Sequence, residues 1–250
     1  MKKKNLPTTI TEISTIYLIA ILIFIGIITS FTHQTWFETV YVVEDGLIES
    51  ITVVGLLAIS VLMFYRYFRL RKQKGRLFRM VLLATALLGI FGAGEEISWG
   101  QRIFDIESTE FFQQHNAQQE TNLHNMVING QKVNKLIFSK LLFAGIVSYL
   151  LLVPLFYHRS AAFRKLADST IGIPVARLYQ VILIGSILIL TALSPSSKRD
   201  ELNEFGLSFA FLLIFMYPQN KAMYANTVAY KGRPVQVEEE PVERELSEAC

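Results

Sequence analysis

Cysteine occurs once in these 250 residues, as Cys250. One thiol excludes an intramolecular disulfide framework and a cysteine-based zinc site. A prenylation box needs three residues after its cysteine, so Cys250 is read as an incidental exposed thiol. Charge is scarce as well: 18% of residues are Asp, Glu, Lys or Arg, against about 25% in soluble domains. A Gly-rich phosphate loop, a serine nucleophile elbow and coiled-coil heptads are all missing from the sequence, which argues against a P-loop nucleotide enzyme, an α/β-hydrolase and a long coiled coil.

What the chain has instead is apolar length. Runs of nearly 20 apolar residues recur along it, enough for a helix to cross the roughly 30 Å hydrocarbon layer of a membrane. Six helices are predicted, over about residues 14–32, 46–66, 78–97, 136–157, 178–194 and 203–218. Pro195 and Pro218 bound the last two, because proline forfeits a helical hydrogen bond. The first run follows Lys2, Lys3 and Lys4 but exceeds a signal-peptide core and lacks a small-x-small cleavage site, so it is read as an uncleaved span.

Basic residues are segregated by loop. They gather at the N-terminus, at Arg66, Arg69, Arg71, Lys72, Lys74, Arg76 and Arg79, and at Arg159, Arg164, Lys165 and Arg177. The alternate loops hold only Arg102, Lys132, Lys135, Lys198 and Arg199. The positive-inside rule then places both termini in the cytoplasm. The expected fold is an all-α polytopic membrane protein of six spans, with a transmembrane domain over 1–218 and a polar extracytoplasmic connection between spans 3 and 4. From Gly232 onward the chain is Pro- and Glu-rich and too polar to fold alone, and 219–250 is expected to be a mostly disordered, acidic cytoplasmic tail, either simply solvated or docking a protein partner. Topology and contact with anionic lipid account for the basic loops, so membrane lipid is an expected partner and nucleic acid is not.

That topology sends most of the unusual polar residues to one face. Glu44, Asp45 and Glu49 open the second span there, Glu95 and Glu96 close the third, and Glu201 and Glu204 open the sixth. Ionisable residues at a membrane boundary generally mark function. Glu44 and Asp45 suit a helix N-terminus by dipole alone; Glu49, inside the apolar run, needs a partner or a proton. If the third helix runs on past Gly94, then Glu95, Trp99 and Arg102 share one face, while Glu96 is turned by about 100° and meets other partners. One carboxylate would then face a metal or substrate while the other pairs with Arg102; the alternative is an interfacial Glu–Arg pair with Trp99 as a belt anchor.

A polar ladder follows at Asn116, Gln118, Glu120, Asn122 and His124, with Asn125 next. Its period of two would line one face of an extended segment; on a helix, Glu120 and His124 would be neighbours instead. Either arrangement lets the carboxylate orient the imidazole or share a metal with it. Glu96, Glu120 and His124 are therefore the expected ligands of a divalent metal. Glu95, Glu96, Glu120, His124 and Arg102 are the expected catalytic groups, and Glu49, Trp99, Gln101, Asn116, Gln118, Asn122 and Asn125 the substrate-binding ones. His33 and His115 fall on the same side as further candidate ligands.

The strings Glu44-Asp45-Gly46-x-x-Glu49, Gly94-Glu95-Glu96-x-Ser98-Trp99-Gly100-Gln101-Arg102 and Asn116-x-Gln118-x-Glu120-x-Asn122-Leu123-His124-Asn125 resemble a group of uncharacterised bacterial multi-pass membrane proteins, the likeness running from about Glu44 to Glu204. That resemblance implies a bacterial inner-membrane location and no particular reaction. A weaker resemblance, to the CAAX-processing type of intramembrane metalloprotease, rests on Glu95-Glu96 and Arg102. Those proteins carry Glu-Glu-x-x-x-Arg, with histidines on two other helices, whereas here five residues separate Glu96 from Arg102 and no Phe-x-x-x-His element stands on a following span. Three functions fit the residues. The first is a metal-dependent hydrolase or transferase acting on a lipid or lipid-linked substrate. The second is a non-catalytic assembly or partner-binding subunit, and the third an ion-coupled transporter.

Overall fold

The computed structural model describes residues 9–123, 125–128, 131–132 and 141–225. Lys2 to Lys4, His124, Lys135 and the acidic tail from 226 to Cys250 lie outside the described residues. The six apolar runs become six helices: α1 (Ile10–Thr32), α2 (Leu47–Leu70), α3 (Arg76–Glu96), α4 (Leu142–Arg159), α5 (Leu178–Leu193) and α6 (Arg199–Met216). The first four are long and apolar enough to cross a membrane. By that measure α5 falls short at 16 residues, about 24 Å at 1.5 Å per residue. The α6 helix begins with Arg199, Asp200, Glu201 and Glu204. One departure from an all-helical chain is a two-residue antiparallel ladder, β1 (Val127–Ile128) with β2 (Gln131–Lys132).

Local signals explain the ends. Thr9 caps α1 reciprocally with Glu12: the Glu12 amide donates to the Thr9 hydroxyl at 3.2 Å and the Thr9 amide to the Glu12 carboxylate at 3.0 Å. Glu12 is fully buried and also takes Arg177 at 3.1 Å and the Tyr179 hydroxyl at 2.6 Å, which ties the start of α1 to the start of α5. Pro154 sits within α4 without ending it.

The bundle is built around its least apolar member: α6 packs on α2, α5 and α1, and α2 packs closely along α3. Gly89 permits the second contact, since a Cβ there would strike the Ser60 hydroxyl and lie 2.8 Å from the Leu56 carbonyl. One apolar core joins Ile19 and Ile23, Ile184 and Ile187, and Leu202, Phe205 and Leu213; another joins Met63 and Leu70 with Phe78, Leu82 and Met223. The outward faces are apolar too. Phe24, Val61, Leu88 and Ile189 are each about two-thirds exposed, as lipid-facing side chains are and soluble surfaces avoid over large areas. Packing continues past Pro218, where Asn220 holds residues 173 and 175 and both Met223 and Tyr224 are buried, so the first residues of the expected tail belong to the bundle. The polar residues then divide into an acidic end, holding residues 44–49, 95–125 and 196–204, and a basic end, where α2 meets α3.

Candidate carboxylate site

The acidic end is shaped by an abrupt stop. α3 finishes at Glu96, and Ser98, Trp99 and Gly100 follow with φ of 48°, 56° and 75°. Two of these are non-glycine residues in a region that costs them energy, and they reverse the chain so that the Trp99 indole folds back on α3. A Cβ on Gly94 would meet that ring at 2.9 Å, so Gly94 makes room for it. The helix does not continue to Arg102, yet Trp99 still reaches Glu95, its Nε1 donating to Oε1 at 2.9 Å. The other oxygen of Glu95 accepts the Leu123 amide at 2.6 Å. Glu95 thus anchors the connection that returns from α3.

Arg102 pairs with neither member of the Glu95–Glu96 doublet. Its guanidinium lies 2.8 Å from Asp45, 3.0 Å from Glu120 and 3.6 Å from Glu49. Glu49 also accepts the Asp45 amide at 2.7 Å. Arg102 therefore gathers three acids from the start of α2 and the returning connection.

The ladder is not an extended wall. Asn116 follows a short helix, Glu110–His115, and its Oδ1 accepts the amides of Gln118 and Glu120 at 2.8 and 3.2 Å, a side-chain-closed turn. Asn116 Nδ2 donates to Asn122, whose own Nδ2 donates to Ser98 at 2.8 Å and Glu120 at 3.1 Å. Ser98 donates to Glu120 as well. Gln101 Oε1 accepts the Thr121 amide at 2.7 Å and the Ser108 hydroxyl at 3.0 Å. Gln118 bridges Glu44 and Asn125. Asn116, Gln118, Glu120 and Asn122 are thus engaged with one another or with Arg102 and Ser98, and Gln101 with Ser108 and Thr121.

Glu96 points elsewhere, towards α6. Carboxylate oxygens of Glu96, Glu201 and Glu204 lie within 4.8 Å of one another, and all three residues are half-buried. Like charges this close repel, and a cation or a shared proton among them would relieve the repulsion. Oxygens from two helices at this spacing could hold a metal ion, and Glu96 is the ligand foreseen from sequence. Glu120 is committed to Arg102, Ser98 and Asn122, and His124 lies outside the described residues. His33 is exposed at the end of α1, and His115 stacks on Phe111 at 4.7 Å; neither lines the site.

The two sets of acids meet at one cavity of about 50 Å³. It is lined by Glu44, Glu49, Glu95, Glu96, Glu120, Glu201 and Glu204, together with Arg102, Gln118, Asn122 and Asn125. One water needs roughly 10–15 Å³ of such space, so the cavity has room for a cation with a few waters. The chain matches no family model, no curated protein and no solved structure. Asp45, Ser98, Glu201 and Glu204 hold more of the site than their sequence context advertised. For the last two a signal existed: glutamates three apart project from one face of a helix, at the start of an apolar run.

Proposed function

We propose that all six helices span a bacterial inner membrane with both termini cytoplasmic. The acidic end then faces outward and holds a divalent cation for hydrolysis or group transfer on the polar part of a lipid or lipid-linked substrate. The observation that carries this is the Glu96, Glu201 and Glu204 oxygens within 4.8 Å of one another beside Arg102. An all-carboxylate donor set suits hard cations such as Mg²⁺, Mn²⁺ or Ca²⁺. A cation held there by Glu96, Glu201 and Glu204 would supply Lewis-acid polarisation of a carbonyl or phosphoryl oxygen and a more acidic water. Arg102, fixed by Glu49 and Glu120, presents its guanidinium to charge developing at the cavity edge. Glu95, Asn116 and Asn122 keep the returning connection in place. The cavity takes only the reacting tip of a substrate, and the exposed apolar Ile103, Phe104, Ile106 and Phe111 give the same connection a surface compatible with lipid.

A non-catalytic assembly role has one observation in its favour: Asn116, Glu120 and Asn122 are engaged with one another and with Ser98. The two readings separate with full-length protein in lipid nanodiscs. Mn²⁺ binding followed by electron paramagnetic resonance, and product release from a bacterial lipid extract followed by mass spectrometry, are compared between wild type and the combined Glu96→Gln, Glu201→Gln and Glu204→Gln variant. The catalytic reading expects bound Mn²⁺ and lipid turnover, both lost in the variant. Mn²⁺ binding without turnover of any lipid assigns the site to assembly, and absence of Mn²⁺, Mg²⁺ and Ca²⁺ binding in the wild type refutes the cation.

A further inference from the structure

At the basic end, a groove of about 490 Å³ opens between the last turns of α2 and the turn Lys221–Tyr224 that follows α6. Its volume lies within the range of small-molecule sites, roughly 300–1,000 Å³. Arg66, Arg69 and Lys221 contribute three cations to its lining, and among the described residues no acid lines it; Leu62, Tyr65 and Leu70 supply an apolar wall.

Loop charge that only sets topology points into water. Arg66 does not: it is 7% exposed, it donates to the Phe215 carbonyl at 2.7 Å, and its guanidinium lies 3.6 Å from the centre of the Tyr224 ring. A guanidinium held this way is fixed in the groove wall before any ligand arrives. Arg69 leans on Tyr65 and Lys221 on Tyr217, so aromatic faces also orient the other two cations. The groove lies at the end of a membrane-crossing helix, where phospholipid phosphates sit beside the hydrocarbon layer.

We infer that this groove binds one anionic phospholipid, its phosphate between Arg66, Arg69 and Lys221 and its first acyl carbons along Leu62 and Tyr65. Charge complementarity selects an anionic headgroup, and the apolar wall next to the cations selects a lipid over a free anion. The site is independent of the carboxylate centre at the other end of the bundle.

The test is native mass spectrometry of full-length protein released from mixed phosphatidylglycerol and phosphatidylcholine nanodiscs. Wild type is expected to retain one phosphatidylglycerol in preference to phosphatidylcholine. The Arg69→Gln/Lys221→Gln variant, which leaves the anchored Arg66 in place, is expected to lose that preference by about tenfold. An Arg71→Gln/Lys74→Gln variant on the same basic segment, outside the groove, is expected to keep it. Equal loss in both variants would overturn the inference in favour of diffuse attraction to the basic loop, and so would equal retention of phosphatidylcholine by the wild type. Displacement of the lipid by millimolar inorganic phosphate would reassign the groove to a free anion. A truncation after Ala225 that raises lipid retention tenfold would assign it to the acidic tail.

Discussion

Replacing Arg102 with glutamine withdraws the cation shared by Asp45, Glu49 and Glu120 while keeping much of its bulk. The three contacts differ in weight. Asp45 has a side chain 54% exposed, and an ion pair that open is worth about 0–1 kcal/mol. Glu120 and Glu49 are 12% and 8% exposed, at 3.0 and 3.6 Å. Removing one partner of a well-buried pair costs about 3–5 kcal/mol. Arg102 is itself 30% exposed, which lets water screen the acids left behind, so the expected loss is nearer 2–3 kcal/mol. For a chain of this length each kcal/mol moves the unfolding midpoint by about 2–4 °C, giving a fall of roughly 4–12 °C. Thermal unfolding in a fixed detergent, followed by the emission of Trp99 and Trp36, measures it. The Asp45→Asn variant should move the midpoint by under about 3 °C, in keeping with an exposed pair. The Glu120→Gln change should recover part of the loss when added to Arg102→Gln, because the uncompensated charge is then gone. A fall below 2 °C for Arg102→Gln, or no recovery in the double variant, would refute the view that Arg102 holds the acidic end together.

Other substitutions probe neighbouring parts of the same structure. Glu95→Gln keeps the shape but offers one acceptor where the carboxylate serves both the Trp99 indole and the Leu123 amide; a loss of about 1–3 kcal/mol is expected, with a red shift of tryptophan emission and faster hydrogen exchange at Leu123. Gly89→Ala drives a Cβ into Ser60 and the Leu56 carbonyl, whereas Gly145→Ala meets nothing within 4 Å. The first should destabilise by about 1–3 kcal/mol and the second should stabilise slightly through helix propensity, as read by denaturation midpoints. Glu38 accepts hydrogen bonds from Gln34 at 3.0 Å and Ser196 at 2.7 Å, which hold its carboxyl below the ordinary range, Gln34 contributing most. Its contribution to stability is therefore present above the unfolded pKa and lost as pH falls through the lower folded value. The unfolding midpoint should drop on acidification from about pH 5 to pH 3, and drop less in Ser196→Ala.

The helices were legible because hydropathy is a local property: the expected bounds of 178–194 and 78–97 fall within two residues of α5 and α3 at each end. The divergence of Glu95 from Glu96 was legible for the same reason, as a rotation fixed by the helical repeat. Arg102 was not, because its partners depend on where the chain goes after α3, and the left-handed turn at Ser98 and Trp99 has no simple signature in residues other than glycine. The ladder misled for a related reason. Its period of two suggested an extended face, whereas asparagine side chains close turns by bonding neighbouring amides, and Asn116 does so twice. The pairing of Glu96 with α6 joins residues more than 100 positions apart, a distance no local pattern reports.

The central place of α6 has a consequence for how the protein is made. This helix contacts α1, α2 and α5, yet it is the last of the six to leave the ribosome, and it begins with Arg199, Asp200, Glu201 and Glu204. On the proposed topology these charges sit at the mouth of the helix and not at its centre, where each would cost about 2.5–3.5 kcal/mol. Its packing partners are all made before it is, so it closes the bundle as a keystone closes an arch. A chain stopped before Arg199 would lack Glu201 and Glu204 and leave the sides of α1, α2 and α5 that face α6 uncovered.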